Sequence, residues 1–372
     1  MIIIKQIEIV ADFNNLWEAA ERVKSHNPDK ISALRFDSRA LEAIDRLQRW
    51  LLSGEYKVGE YTKFKVWYPK ERNVKTCCYR DKVVFSSLSQ NVLWKEIERH
   101  LIFDNGASRK GMGTDHALKR VEKFLHNYYV NFGNGGYILK IDVKKYFYSL
   151  RHDIIKQQFR KYSFDDSIID LVDKIVDSSY DSIIDGYYCG VPIGNEPSQV
   201  IAVQYLNSID HYCKDQLGIK YYERYMDDTI IIHNDRDYLT RVKDDLAKKY
   251  ADLGLSINAK TQITPLREGF TFLGITFYLQ PNGRIIRRLK NQNIRHRYSE
   301  IHKKALLVAC GELSVEKYWQ SFYAWNAYAK RANSYKARMK AYMYAKEELQ
   351  NAVKQNKLLC QSPYKLGIPI RS

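Results

Sequence analysis

The sequence predicts an α+β chain in which a strand-rich middle is flanked by helical segments, and three observations lead there. Apolar residues recur at three and four from Asn14 to about Leu52, and long helical patterns return beyond Gly283. Alternation with period two takes over between them, from Tyr137 onward. Of 372 residues, 45% are apolar, with no low-complexity tract, enough for two or three subdomains around real cores.

Taken in order, Leu16, Ala20 and Val23, then Leu41, Ile44, Leu47 and Leu51, read as the packing faces of N-terminal helices. Phe64, Val66 and Tyr68 alternate with basic residues ahead of Pro69, predicting a positively charged β-ribbon, and a helix is expected from Phe85 to Leu101. "SRKGMGTDHALKRV" is a glycine-punctuated basic loop entering a helix; with Arg109 and Lys110 it suits a phosphate backbone, or is simply a surface loop. "GGYILKIDV" is a strand with one acid, Asp142, among apolar neighbours. A helical stretch from His152 to about Tyr180, the turn-rich "DGYYCGVPIGNEPSQ" and an apolar helix from Val200 to about Cys213 follow. "GLSINAKTQITP" and "GFTFLGITFYLQPNG" are strand-like. Beyond Gly283 the segments "RIIRRLKNQNIRHRYSEIHKKALL" and "SVEKYWQSFYAWNAYAKRANSYKARMKAYMYAKEELQNAV" read as helices, with Val315, Trp319, Phe322 and Ala329 forming a core stripe.

Sixty Lys and Arg against forty-three Asp and Glu give a net charge of +17, and with 29 tyrosines this favours a nucleic-acid partner. Eight cations between Arg284 and Lys304, among them Arg287, Arg288, Arg295 and Arg297, suggest a groove that tracks a phosphate backbone. Six cysteines without a C-x-x-C pair suggest neither zinc nor a disulfide framework, which fits a reducing cytoplasm. The opening "MIIIKQIEIVADF" lacks the marks of a signal peptide, and no membrane span or membrane partner is expected.

Against this basic background stand Asp227 and Asp228, in "KYYERYMDDTIIIH". Other Asp-Asp pairs, Asp165-Asp166 and Asp244-Asp245, lie in polar helical settings where solvation accounts for them. Asp227 and Asp228 instead fall in a tight turn between two strand-like runs, where adjacent carboxylates repel unless a cation joins them. With Asp142 from a neighbouring strand they would form a cradle for two Mg²⁺ ions, or Mn²⁺, suited to phosphoryl transfer.

"RYMDDTIII" resembles the YxDD hairpin of reverse transcriptases, and "LKIDVKKYFYSL" resembles that family's first palm motif, in the right order. "GVPIGNEPSQ", "LSINAKTQI" and "FTFLGI" are similar to three further motifs of the family, so the likeness spans roughly residues 55 to 345. It implies a right-hand polymerase fold: fingers 1–136, palm 137–283, helical thumb 284–355, tail 356–372. It also implies that Asp142, Asp227 and Asp228, with the carbonyl of Val143, ligate the metals, and that Lys260 protonates pyrophosphate. Lys70, Arg72 and Arg80 would clamp the incoming dNTP, Phe147 would sense its 2′ position, and Phe272, Leu273 and Gly274 would form a primer grip. Ile193 and Gln199 belong to the dNTP and template side. Where many reverse transcriptases carry glutamine this chain has Ile193, similar to the form in diversity-generating retroelement enzymes and in bacterial defence and abortive-infection enzymes, the former associated with error-prone copying. The resemblance implies RNA-directed DNA synthesis on a dedicated noncoding RNA, with a DNA product or primer and dNTPs as partners, in antiphage defence. The alternatives are diversity generation, template-independent synthesis or a non-catalytic nucleic-acid scaffold; an accessory protein or homo-oligomer is compatible with each.

Overall fold

The computed structural model describes residues 5–26, 31–67 and 71–361. By its contacts the chain divides into two compact units, Met1–Val121 with Tyr137–Ile263, and Glu122–Gly136 with Thr264–Ser372.

In the first unit, helices Gln6–Ala11, Phe13–His26, Ile31–Asp37 and Ala40–Leu52 bury Val10, Leu16, Ile44, Leu47 and Leu51 in one core with Val83, Phe85 and Leu88. Leu41 lies off that face and is 65% exposed, because three residues of helix turn it some 60° from Ile44. Strands Thr62–Val66 and Arg72–Thr76 form the expected antiparallel ribbon, in register from Thr62↔Thr76 to Val66↔Arg72. The next helical run starts at Tyr79 rather than Phe85 and passes through a π-helical turn at Ser89–Leu93 and a closing 3₁₀ turn at Glu98–His100. Its early start is fixed by buried Asp81, whose carboxylate accepts from Tyr56 Oη at 2.9 Å and from the Gly59 amide at 2.8 Å.

A four-stranded sheet follows, in the order Tyr222–Tyr225, Asp228–His233, Tyr137–Ile141, Gln262–Pro265. The first three strands pair antiparallel, with Ile138, Leu139 and Ile141 of the third and Ile230, Ile231 and Ile232 of the second all buried. Helix Arg236–Asp252 buries Leu239, Val242, Leu246 and Tyr250 on one face. The expected single helix after His152 is two, His152–Phe159 and Asp166–Asp177, because Asp165 caps the second by accepting from the Ile168 amide. "SIIDGYYC" is a hairpin, Ser182–Ile184 against Tyr187–Cys189, closed by Asp185 and Gly186 at φ 51° and 81°. The apolar helix begins at Glu196 and ends at Tyr205, with Asn207–His211 and a π-helical turn at Tyr212–Gln216 beyond it. Of "GLSINAKTQITP" only Gln262–Pro265 is a strand; Ile257 makes a single bridge to Val143.

In the second unit, Phe270–Phe272, Ile275–Leu279 and Ile285–Leu289 form a three-stranded antiparallel sheet. "RIIRRL", read above as helix, is thus a strand. Gly283, at φ 79°, turns the chain back after Pro281 and Asn282, so that Ile285 pairs with Leu279 and Leu289 with Ile275. Helices Asn291–Ala309, Val315–Ala329 and Tyr335–Gln361 pack around Ile301, Ala305, Tyr318, Phe322, Ala341 and Ala345. Phe322 and Ala329 are buried as expected, whereas Val315, at the helix start, is 44% exposed. Among the described residues no helix is long and apolar enough to cross a membrane.

Candidate active site

Strand register brings the three aspartates together. Tyr137–Ile141 pairs with Asp228–His233 from Tyr137↔His233 to Ile141↔Thr229, so Asp142, one residue past the last pair, continues opposite Asp228 and on its face of the sheet. Asp142 is held by its backbone: its carbonyl accepts from the Asn258 amide at 2.7 Å, and its own amide donates to Thr261 Oγ1 at 3.4 Å. Tyr225 pairs with Asp228, leaving Met226 and Asp227 as a two-residue turn. Met226 sits at φ 56°, a left-handed conformation that a non-glycine residue adopts only under constraint.

Burial, first of all, and then repulsion from Asp142 and Asp228 push the Asp227 carboxyl up to about 6; its own backbone amide and the charge of Arg72 act in the opposite direction. Asp228 is neutralised differently, by Lys140 Nζ at 3.1 Å from its Oδ1. Lys140 lies two residues before Asp142 on the same side of the strand, a period-two relation visible in "LKID" but without a partner that sequence could name. Among the described residues no three His, Cys, Asp or Glu side chains stand ready as a metal site. The donors nonetheless fit a hard divalent ion: they are all oxygen, and Asp227 resists ionising beside the two other carboxylates.

Around the acids, Phe147 is half-buried, its ring edge-on to Tyr146 at 5.8 Å, and its carbonyl accepts from the Val191 amide at 2.9 Å. This ties the turn after Asp142 to the "GVPIGN" loop. In that loop Ile193 is half-buried, and Asn195 is buried, its side chain meeting Tyr61 Oη at 3.3 Å and Cys77 Sγ at 3.4 Å. Gln199 accepts from Ser108 Oγ at 3.4 Å and helps line a cavity of about 510 Å³ with Arg22, Gln90, Asn195 and Glu196. Val143 is buried and Lys260 is exposed.

The basic residues separate. Arg72, at the end of the ribbon, is close enough to act on the charge of Asp227. Arg80 is engaged elsewhere, donating to Asp81 at 3.3 Å and to the Lys57 carbonyl at 3.2 Å and lying over the Trp50 ring at 5.3 Å. Lys70 lies outside the described residues. Arg109 is spent inside the protein, on the carbonyls of Ile102 and Asn105 at 2.9 and 2.8 Å and on Glu98 at 3.2 Å, while Lys110 is exposed. In the second unit Phe272 is buried, and Leu273 and Gly274 form a tight turn at φ 46° and 81°, with Tyr328 Oη donating to the Gly274 carbonyl at 3.1 Å. Arg288 and Arg295 are exposed, and Arg287 pairs with Glu122 at 3.3 Å. Arg297 does not belong to the expected groove: it is 7% exposed, within cation–π distance of Phe322 and Trp325 at 5.5 and 5.8 Å, and burial lowers its pKa.

Sequence reasoning passed over Arg224, whose guanidinium is fully buried under the Met226 turn. Its only outward sign is an arginine next to Glu223 in a short, tyrosine-flanked strand.

The model of the family described as "Reverse transcriptase (RNA-dependent DNA polymerase)" matches residues 70–277. A curated relative, the putative COX1/OXI3 intron 1 protein of Saccharomyces cerevisiae, is 22% identical over 221 residues, covering 57% of this chain. The chain spans 26% of that relative's length. The structure of apo telomerase from Candida tropicalis superposes with a TM-score of 0.50 at 12% identity, covering 80% of this chain and 62% of that one, a likeness of fold. The expected right-hand polymerase architecture is therefore present, mixed helix and antiparallel sheet. With a palm hairpin carrying two aspartates opposite a third, and more than half its length matched by the family model, the chain belongs to the reverse transcriptase (RNA-dependent DNA polymerase) family.

Proposed function

We propose that this chain extends a DNA 3′-end by copying a dedicated noncoding RNA, and that it serves bacterial antiphage defence. The observation that carries the polymerase reading is the convergence on Asp227 of Asp142, Asp228 and Arg72, three acids at the end of one sheet and one cation from the separate β-ribbon. Two Mg²⁺ ions, or Mn²⁺, held by the aspartates and the Val143 carbonyl, would supply the charge that activates a primer hydroxyl and stabilises pyrophosphate. Arg72, with Lys70, binds the triphosphate; Lys260 delivers a proton to the leaving group; Phe147 abuts the sugar 2′ position; Ile193 and Gln199 face the pairing bases. Fingers, palm and thumb follow the boundaries given above, and the exposed Lys110, Arg288 and Arg295 engage the nucleic-acid backbone.

The test is incorporation of dNTPs by the chain purified with its co-expressed RNA, in Mg²⁺. Wild type should yield DNA complementary to that RNA, and Asp227→Ala should yield none. DNA unrelated to the RNA would favour template-independent synthesis, and undiminished product from Asp227→Ala would refute the reading. Ile193 supports a second setting, error-prone diversity generation; loss of phage protection in Asp227→Ala cells decides for defence, and a high misincorporation rate that Ile193→Gln lowers decides for diversity generation.

A further inference from the structure

The strand Tyr222–Tyr225 buries a charge where an apolar residue would pack as well. Arg224 and Asp210 both have side-chain exposures of 0%. The guanidinium donates from Nε to Asp210 Oδ1 at 2.7 Å and from Nη2 to Asp210 Oδ2 at 2.5 Å, and Nη2 also reaches the Val203 carbonyl at 2.8 Å. Asp210 is held in turn by Tyr222 Oη at 2.5 Å and Asn105 Nδ2 at 3.2 Å. Exchanging such a pair for well-packed apolar residues is often neutral or stabilising, so stability alone does not account for it.

The remaining donor does. Arg224 Nη1 reaches the carbonyl of Met226 at 2.9 Å. Met226 is the non-glycine residue at φ 56°, and its carbonyl belongs to the peptide unit that leads into Asp227. A turn in that conformation relaxes unless its surroundings over-determine it. Here the determinant is a planar fork that cannot rotate, because Asp210 grips two of its nitrogens and is itself gripped by Tyr222 and Asn105.

We propose that Arg224, oriented by Asp210, is a positioning residue: it clamps the Met226 carbonyl and so aims the carboxylates of Asp227 and Asp228 toward a common divalent cation. The proposal rests on the reading of those two aspartates as metal ligands. Arg224 touches neither substrate nor metal. A lysine keeps the charge but, as a single point donor, cannot hold Asp210 and the Met226 carbonyl together.

The test measures Mn²⁺ binding to the full-length, metal-free protein by electron paramagnetic resonance of the free ion, alongside thermal unfolding and dNTP kinetics. Three variants are compared with wild type: Arg224→Lys, the charge-free double variant Arg224→Met/Asp210→Leu, and Asp227→Asn. The double variant leaves neither member of the pair as a lone buried charge, and where it folds it should bind Mn²⁺ about tenfold more weakly than wild type. Arg224→Lys should show the same loss, a comparable rise in the Mn²⁺ needed for half-maximal rate, and an unchanged KM for dNTPs. If the double variant does not fold, Arg224→Lys alone decides. Wild-type Mn²⁺ affinity in a folded Arg224 variant overturns the proposal while Asp227→Asn still loses its ion. Undiminished Mn²⁺ binding by Asp227→Asn overturns the reading of the acids, and this proposal with it.

Discussion

Removing the charge of Asp227 should stabilise the metal-free protein while abolishing synthesis. The Asp227 carboxyl rises from an ordinary 3.8 to about 6, chiefly through burial and then through the neighbouring Asp142 and Asp228. That difference corresponds to roughly 3 kcal/mol between its protonated and ionised forms. The native carboxyl holds its proton more tightly than the unfolded one, so its contribution is intact below pH 4 and is lost as pH rises through about 6. At pH 7.5 the wild type therefore carries a half-buried ionised group at a cost that Asp227→Asn, of nearly the same shape, does not bear. The variant should be more stable by up to roughly 3 kcal/mol, or a rise in Tm of about 2–4 °C per kcal/mol for a unit of this size. The assay is thermal unfolding of the EDTA-treated protein from pH 4 to pH 8 at fixed ionic strength. The advantage should shrink toward acid pH, and saturating Mg²⁺ should close the gap at pH 7.5 by stabilising only the wild type, by about 2.7 kcal/mol at a hundred times its Kd. An advantage that stays flat across the pH range, or a variant less stable than wild type at pH 7.5, would refute the reasoning.

Three further outcomes are expected. Glu223 is fully buried, neither carboxylate oxygen has a hydrogen-bond partner among the described residues, and burial pushes its pKa well above the ordinary value, so Glu223→Gln should stabilise the protein at pH 7 by roughly 1–3 kcal/mol, the effect vanishing below pH 4; chemical denaturation at both pH values checks this. Phe147→Ala should admit ribonucleotides, read as the ratio of kcat/KM for dNTP over NTP; an unchanged ratio removes Phe147 from sugar selection. Arg288→Ala and Arg295→Ala should each lower the slope of log Kd against log salt by about 0.7 for single-stranded RNA, whereas Arg297→Met leaves the slope unchanged, since a buried guanidinium displaces no counterion.

How much was legible in advance depends on the range over which each feature is determined. The hairpin of Asp227 and Asp228 could be read because a two-residue turn between apolar runs is a local signal, and the observed pairing of Tyr225 with Asp228 closes it there. "RIIRRL" reads as helix because its Ile and Arg come in doublets, without the period-two alternation of a strand, beside a helical, basic stretch; pairing with Ile275–Leu279 makes it a strand. Likewise "IIDGYYC" held its hairpin in an Asp-Gly pair that reads equally as a loop.

Charge was the least informative. Arg295 and Arg297 are two residues apart in one basic run, yet the helix turns the first to solvent and the second among Tyr318, Phe322 and Trp325. Arg109 likewise reads as a phosphate contact and instead secures two carbonyls. The sequence by itself determined the order of motifs, the acids and the excess of positive charge, because composition and local turns need no partner. Only the tertiary structure set Asp142 opposite Asp228, paired Asp228 with Lys140 and placed Arg224 beneath Met226. Register, burial and the orientation of a guanidinium follow from contacts between residues distant in the chain, which no local pattern encodes.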